Sequence, residues 1–136
     1  MVETPQIYEQ QTDQVVVRAA PVFLPNQSEP AERRWVWAYE IEIENRGGSP
    51  VQLISRRWTI TDGRGGVQEV EGPGVVGEQP LIRPGESFRY TSGCPLPTPS
   101  GAMAGAYRMV DDAGRVFEVA IPPFSLDVPS ARRTLN

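Results

Sequence analysis

The chain has 136 residues, a length that suits one domain, and its 39% hydrophobic and 22% charged residues are globular values that exclude wholesale disorder. The formal net charge is −4, all 13 positive charges are arginine, and the basic residues cluster only in pairs, so nucleic acid is not an expected partner. No apolar run reaches the length of a membrane helix, the single Cys94 allows no intrachain disulfide, and the first residues carry no signal peptide, so a cytoplasmic protein without a membrane span is expected.

Residues 1–13 are polar and are expected to form a loose arm. Residues 14–22 carry Val15, Val16, Val17 and Val22 and predict a first strand. Residues 25–31 hold two prolines, Asn26 and Ser28, and predict a loop. The clearest strand is 33–45, where Trp35, Trp37, Tyr39, Ile41 and Ile43 share one face and Glu40, Glu42 and Glu44 share the other. A turn at 45–50 and a strand at 51–61 complete a hairpin. That second strand changes phase: Val51 and Leu53 are odd, whereas Ile54, Trp58 and Ile60 are even, so a one-residue bulge is expected between Leu53 and Arg56.

Farther along, a glycine turn at 62–66 precedes a short strand at 67–71, and the run Gly72-Pro73-Gly74-Val75-Val76-Gly77 follows. Short extended pieces are predicted at 80–82 and 87–92, around the Pro84-Gly85 turn. Pro95, Pro97 and Pro99 predict a stiff loop over 93–101. A strand at 101–110 sets Met103, Tyr107 and Met109 in phase, and two last strands, 116–121 and 124–128, are separated by Pro122-Pro123. Eight or nine short strands with turns every 8–12 residues or so, 13 glycines, 14 prolines and no helical period predict an all-β sandwich. The domain is expected over 14–129, followed by a tail at 130–136.

Four segments carry a resemblance to a known family: RWTITDG at 57–63, VEGPGVVGEQPLI at 70–82, PGESFRYTSG at 84–93 and TPSGAMAGAYRM at 98–109. In this order they resemble the bacterial ApaG family over nearly the whole chain. The resemblance implies an immunoglobulin-like or fibronectin-type-III-like sandwich of two antiparallel sheets. It also implies a link to cobalt and magnesium tolerance, since family members carry the name of a cobalt/magnesium efflux protein. Similar domains in eukaryotic F-box proteins and in a DNA-polymerase-delta-interacting protein imply a protein-interaction module.

The residues themselves leave two readings of the glycine run open. Gly72, Gly74 and Gly77 spell G-x-G-x-x-G, which in a Rossmann unit brings backbone amides to a pyrophosphate at a helix N-terminus. Pro80, Pro84 and Gly85 forbid a helix there, so what survives is an anion nest of loop amides, assisted by Arg56 and Arg57, for a phosphate-containing small ligand. The other reading is conformational: the glycines supply positive φ and close packing, and the arginines pair with strand carboxylates such as Glu69, Glu71 or Glu86. Trp35, Trp37, Tyr39 and Trp58 are expected as core or half-core residues that hold the two sheets together.

No histidine and one cysteine make a soft-metal site or a Ser-His or Cys-His pair unattainable, and no metal, cofactor or catalytic residue is expected. The expected function is therefore non-catalytic binding, the alternative being a binder of, or an enzyme acting on, a phosphorylated or dinucleotide ligand at the 72–77 loop and its arginines. A protein partner would meet a sheet edge or face together with the loops at 72–77 and 94–101, and an uncovered edge offers a route to a homodimer.

Overall fold

Alternation along the third strand sets the architecture. In the computed structural model, which describes residues 6–129, β3 (Trp35–Asn45) turns Trp37, Tyr39, Ile41 and Ile43 inward, all buried, and leaves Glu40 exposed. Its neighbours are β1 (Tyr8–Thr12), β2 (Val15–Phe23) and β7 (Ser87–Leu96), in the order β1-β2-β3-β7, all antiparallel. The facing sheet is β5 (Val67–Pro73), β4 (Val51–Asp62), β8 (Ser100–Asp111) and β9 (Val116–Asp127), in the order β5-β4-β8-β9. A two-residue strand, β6 (Leu81–Ile82), adds to the first residues of β4. The two sheets pack face to face as the predicted all-β sandwich.

The bulge lies where the phase change requires it. Leu53 pairs with Met109 and Ser55 with Arg108, leaving Ile54 as the extra residue. Leu53 can thus be buried before the bulge and Trp58 after it on the same inward face.

Three expectations are corrected. The loose arm is only partly loose, since Tyr8–Thr12 pairs with Val15–Ala19 as an edge strand; residues 1–5 of that arm and the tail at 130–136 lie outside the described residues. The loop predicted from residue 93 begins later, because β7 runs to Leu96 with Pro95 opposite Val36. The two last strands are one, β9, with Pro122-Pro123 at a register shift opposite Ala104. Both strands are sheet edges, where a residue without an N–H breaks no ladder on its open side.

A file of aromatic rings crosses the core. Tyr8 meets Phe124 at 6.0 Å, Phe124 meets Tyr39 at 5.9 Å and Trp58 at 6.0 Å, and Tyr39 meets Trp58 edge-on at 5.4 Å. Trp37 packs on Phe23 and donates its indole N–H to the Asp127 carbonyl at 2.9 Å, tying β3 to the end of β9. At one pole the buried Asn45 closes the β3–β4 connection. Its Nδ2 donates to the carbonyls of Ser49 and Ile82, both at 2.9 Å, and its Oδ1 accepts from Gly47 N–H.

Candidate functional site: the open side of the sandwich

Strand order leaves β1 opposite β9 on one side and β5 opposite β7 on the other. The second side does not close. Between the β5 and β7 edges lies a cleft of about 560 Å³. Gln68, Val70 and Pro73 form one wall, and Tyr90, Ser92 and Cys94 the other; Trp58, Ile60 and Met103 lie deeper, and Val75, Val76 and Gly77 close one end. The lining mixes aromatic and apolar side chains with polar ones, Arg56 among them, and aromatic groups beside convergent polar ones are what a binding cleft needs.

Behind this cleft the tyrosines form a desolvated group. The hydroxyls of Tyr90 and Tyr107 are 2.5 Å apart and buried. Burial raises the pKa of Tyr39, Tyr90 and Tyr107 above that of an exposed phenol. Cys94 is buried too, and desolvation pushes its thiol up to about 11, so at neutral pH it is a protonated thiol rather than a nucleophile.

The structure divides the five residues singled out for anion binding. Arg56 faces inward, in phase with Trp58, and lies over Gly72, with which it pairs across the strands. Its Nη1 donates to the carbonyls of Pro73 and Gly74, both at 3.0 Å. Arg57 points to the opposite face, where it forms an exposed 3.1 Å ion pair with Glu118 rather than with Glu69, Glu71 or Glu86. The two arginines therefore do not converge, as strand alternation requires of neighbours.

The glycine run is a small hairpin with a plug. Gly74 N–H donates to the Ile54 carbonyl at 2.8 Å, and Val75 and Glu78 exchange backbone hydrogen bonds of 2.8 and 2.9 Å. Val76 and Gly77, at φ 43° and 81°, are the two central turn residues, both in the left-handed region that a tight hairpin turn of this hand requires. Gly74 is also left-handed, at φ 60°, and a Cβ there would collide with the Glu78 carbonyl oxygen. The result is that Val75 is driven into the core, with none of its surface exposed. Nothing in the sequence marked Val75 rather than its neighbour Val76 as the plug, because both are valines between the same glycines and only the turn decides which faces inward.

The sequence placed Tyr39 and Trp58 in the core, and both are buried; that they also line a cleft depends on which strands end up as edges. The strand carboxylates are engaged on the outer face of the first sheet. Arg89 donates to Glu42 at 2.9 and 3.0 Å, and Arg18 reaches Glu9, Glu42 and Glu44 at 2.7–3.0 Å. The Arg89 hydrogen bonds, with Arg18 behind them, hold Glu42 below the usual carboxylate range. Among the described residues, no three of His, Cys, Asp and Glu gather where a metal ion could be held, and no helix is long and apolar enough to cross a membrane.

The chain is similar to a set of curated proteins along almost its full length. It is 57% identical to Protein ApaG of Caulobacter vibrioides over 129 residues, covering 95% of this chain and 92% of that one. It is likewise 57% identical to Protein ApaG of Rhodospirillum centenum over 130 residues, covering 96% of this chain and all of that one. Among solved structures, the putative ApaA protein from Bordetella pertussis superposes with a TM-score of 0.83 at 53% identity, covering 85% of this chain and 94% of that one. The ApaG domain model matches residues 25–111, which span β3 to β8 and both walls of the cleft. The chain belongs to the ApaG family.

Proposed function

We propose that the protein is a non-catalytic binding module that takes a segment of a protein partner into the cleft between β5 and β7. The cleft itself carries the reading: two strand edges left uncovered among the described residues flank an elongated hollow in which Tyr39, Trp58, Tyr90 and apolar side chains stand beside polar ones, Arg56 among them, which suits a peptide better than a compact anion. The chain has no histidine, and its one thiol is buried and protonated, which supports binding over turnover. In this reading the protein works in the cytoplasm. Its contribution to cobalt and magnesium tolerance runs through the partner it holds, not through transport by this chain.

The test compares affinity capture by the wild-type chain with capture by Val70→Arg and Ser92→Arg, which fill the cleft, and by Arg57→Ala on the outer face. A partner lost with both cleft variants and kept with Arg57→Ala supports the reading. Capture indifferent to the cleft variants overturns it. The same variants in a strain lacking the chain, grown in cobalt, report whether tolerance follows capture.

A phosphorylated or dinucleotide ligand at the 72–77 loop is the second reading, and the contact of Arg56 with that loop favours it. It is the weaker one, because Arg56 Nη1 already meets two carbonyls and the hairpin amides of Val75 and Glu78 bond within the loop. Calorimetry with inorganic phosphate and with a dinucleotide separates the two readings.

A further inference from the structure

We infer that the partner segment binds by adding a strand to the free edge of β5, and that it alternates apolar residues facing the cleft with basic residues facing outward. This inference rests on the protein-segment reading above and specifies its geometry and chemistry.

The phase of the β4–β5 ladder decides which backbone groups are available. The Asp62 amide bonds the Gly66 carbonyl at 2.9 Å at one end, and the Gly74 amide bonds the Ile54 carbonyl at 2.8 Å at the other. In an antiparallel pair the bonded positions recur every second residue. Gln68, Val70 and Gly72 are therefore bonded to Ile60, Trp58 and Arg56, with which they are in register. The amides and carbonyls of Val67, Glu69 and Glu71 point away from β4, and among the described residues β5 has no other strand beside it. Pro73 falls in the same outward set, where its missing N–H costs no ladder bond.

The side chains then dictate the complementary sequence. Residues of an added strand opposite Gln68 and Val70 would turn into the cleft, toward Tyr90, Ser92 and Cys94 on the far wall. Residues opposite Glu69 and Glu71 would share the outer face with two exposed carboxylates that form no ion pair among the described residues. Directly opposed charges of unlike sign favour a sheet pairing and like charges oppose it. The same rule disfavours a second copy of this chain, because an antiparallel β5–β5 pairing about Glu69 brings glutamate against glutamate.

The experiment uses the full chain and two capped hexapeptides, one alternating arginine with valine and one alternating glutamate with valine. Binding is followed through Trp58 fluorescence and through the amide resonances of Val67, Glu69 and Glu71. The arginine peptide should bind, shift those three amides, and bind at least about tenfold more tightly than the glutamate peptide, with the difference shrinking as salt is added. Glu69→Gln should weaken it modestly. Glu69→Pro, which removes an outward N–H without touching the β4 ladder, should weaken it at least about tenfold further. Methylation of alternate peptide nitrogens should do the same and alters no residue of the protein. No binding at millimolar arginine peptide, equal binding of both peptides, or indifference to Glu69→Pro and to methylation overturns the inference, as does a dimer in light scattering that Glu69→Pro dissolves. If capture of a partner depends on Val70→Arg yet ignores Glu69→Pro, strand addition fails while the protein-segment reading stands. If capture ignores both, both fail.

Discussion

The two sides of this sandwich solve the same problem differently. On the β1/β9 side the edges are stitched: the Ala120 amide donates to Thr12 Oγ1 at 3.1 Å, the Ser125 amide reaches the Tyr8 hydroxyl at 3.4 Å, and Pro122-Pro123 interrupts the edge. On the β5/β7 side the edges stand apart around a cleft, and two of the four outward positions of β5 carry glutamate. An unprotected edge invites pairing, so proteins cap edges with side chains, prolines or charge. Here side chains stitch one side shut, while on the other Glu69 and Glu71, with Pro73 at the strand end, guard the β5 edge and select what can approach it.

Measurements on each side put this contrast to the test. The largest effect should appear in base. Tyr39, Tyr90 and Tyr107 have pKa values raised by burial, whereas in the unfolded chain they ionise at about pH 10. The folded state therefore holds their protons longer. Their stabilising contribution is whole below about pH 10 and is lost as the pH rises through the folded values. Ultraviolet titration should show these phenols ionising together with cooperative unfolding rather than before it.

Next in size, Phe124→Ala removes the ring that joins Tyr8, Tyr39 and Trp58, and urea denaturation should show a loss of about 3–5 kcal/mol. Val70→Ala on the cleft wall should lose under about 1.5 kcal/mol, because Val70 is only half-buried. Equal losses would mean that the open side is packed as tightly as the closed one.

The glycine hairpin tests the boundary of the open side. Gly74→Ala should destabilise by about 1–3 kcal/mol, through positive φ and the collision with Glu78. Val76→Gly at the exposed turn should stabilise by up to about 1 kcal/mol, because a β-branched residue at φ 43° is strained. The smallest effect belongs to the closed side: Thr12→Val, which strands the Ala120 amide, should cost about 1 kcal/mol in the same denaturation assay.

What the residues dictated by themselves was local. Side-chain period two between Trp35 and Ile43 fixed the buried face of β3, and the phase slip after Leu53 fixed the bulge, because both follow from backbone geometry that any strand must obey. The four family segments were likewise legible as sequence. Edges were not. Pro95 and Pro122-Pro123 read as breaks until their strands proved to lie at the margin of a sheet, and polar Tyr8–Thr12 read as a loose arm until β2 offered it a partner. Arg56 and Arg57 looked like one basic pair, yet alternation sends one under the glycine hairpin and the other to Glu118. The cleft joins Val70 to Tyr90 and Cys94 across two sheets, and only tertiary packing decides which strand edges face each other, since no local preference encodes the order of strands.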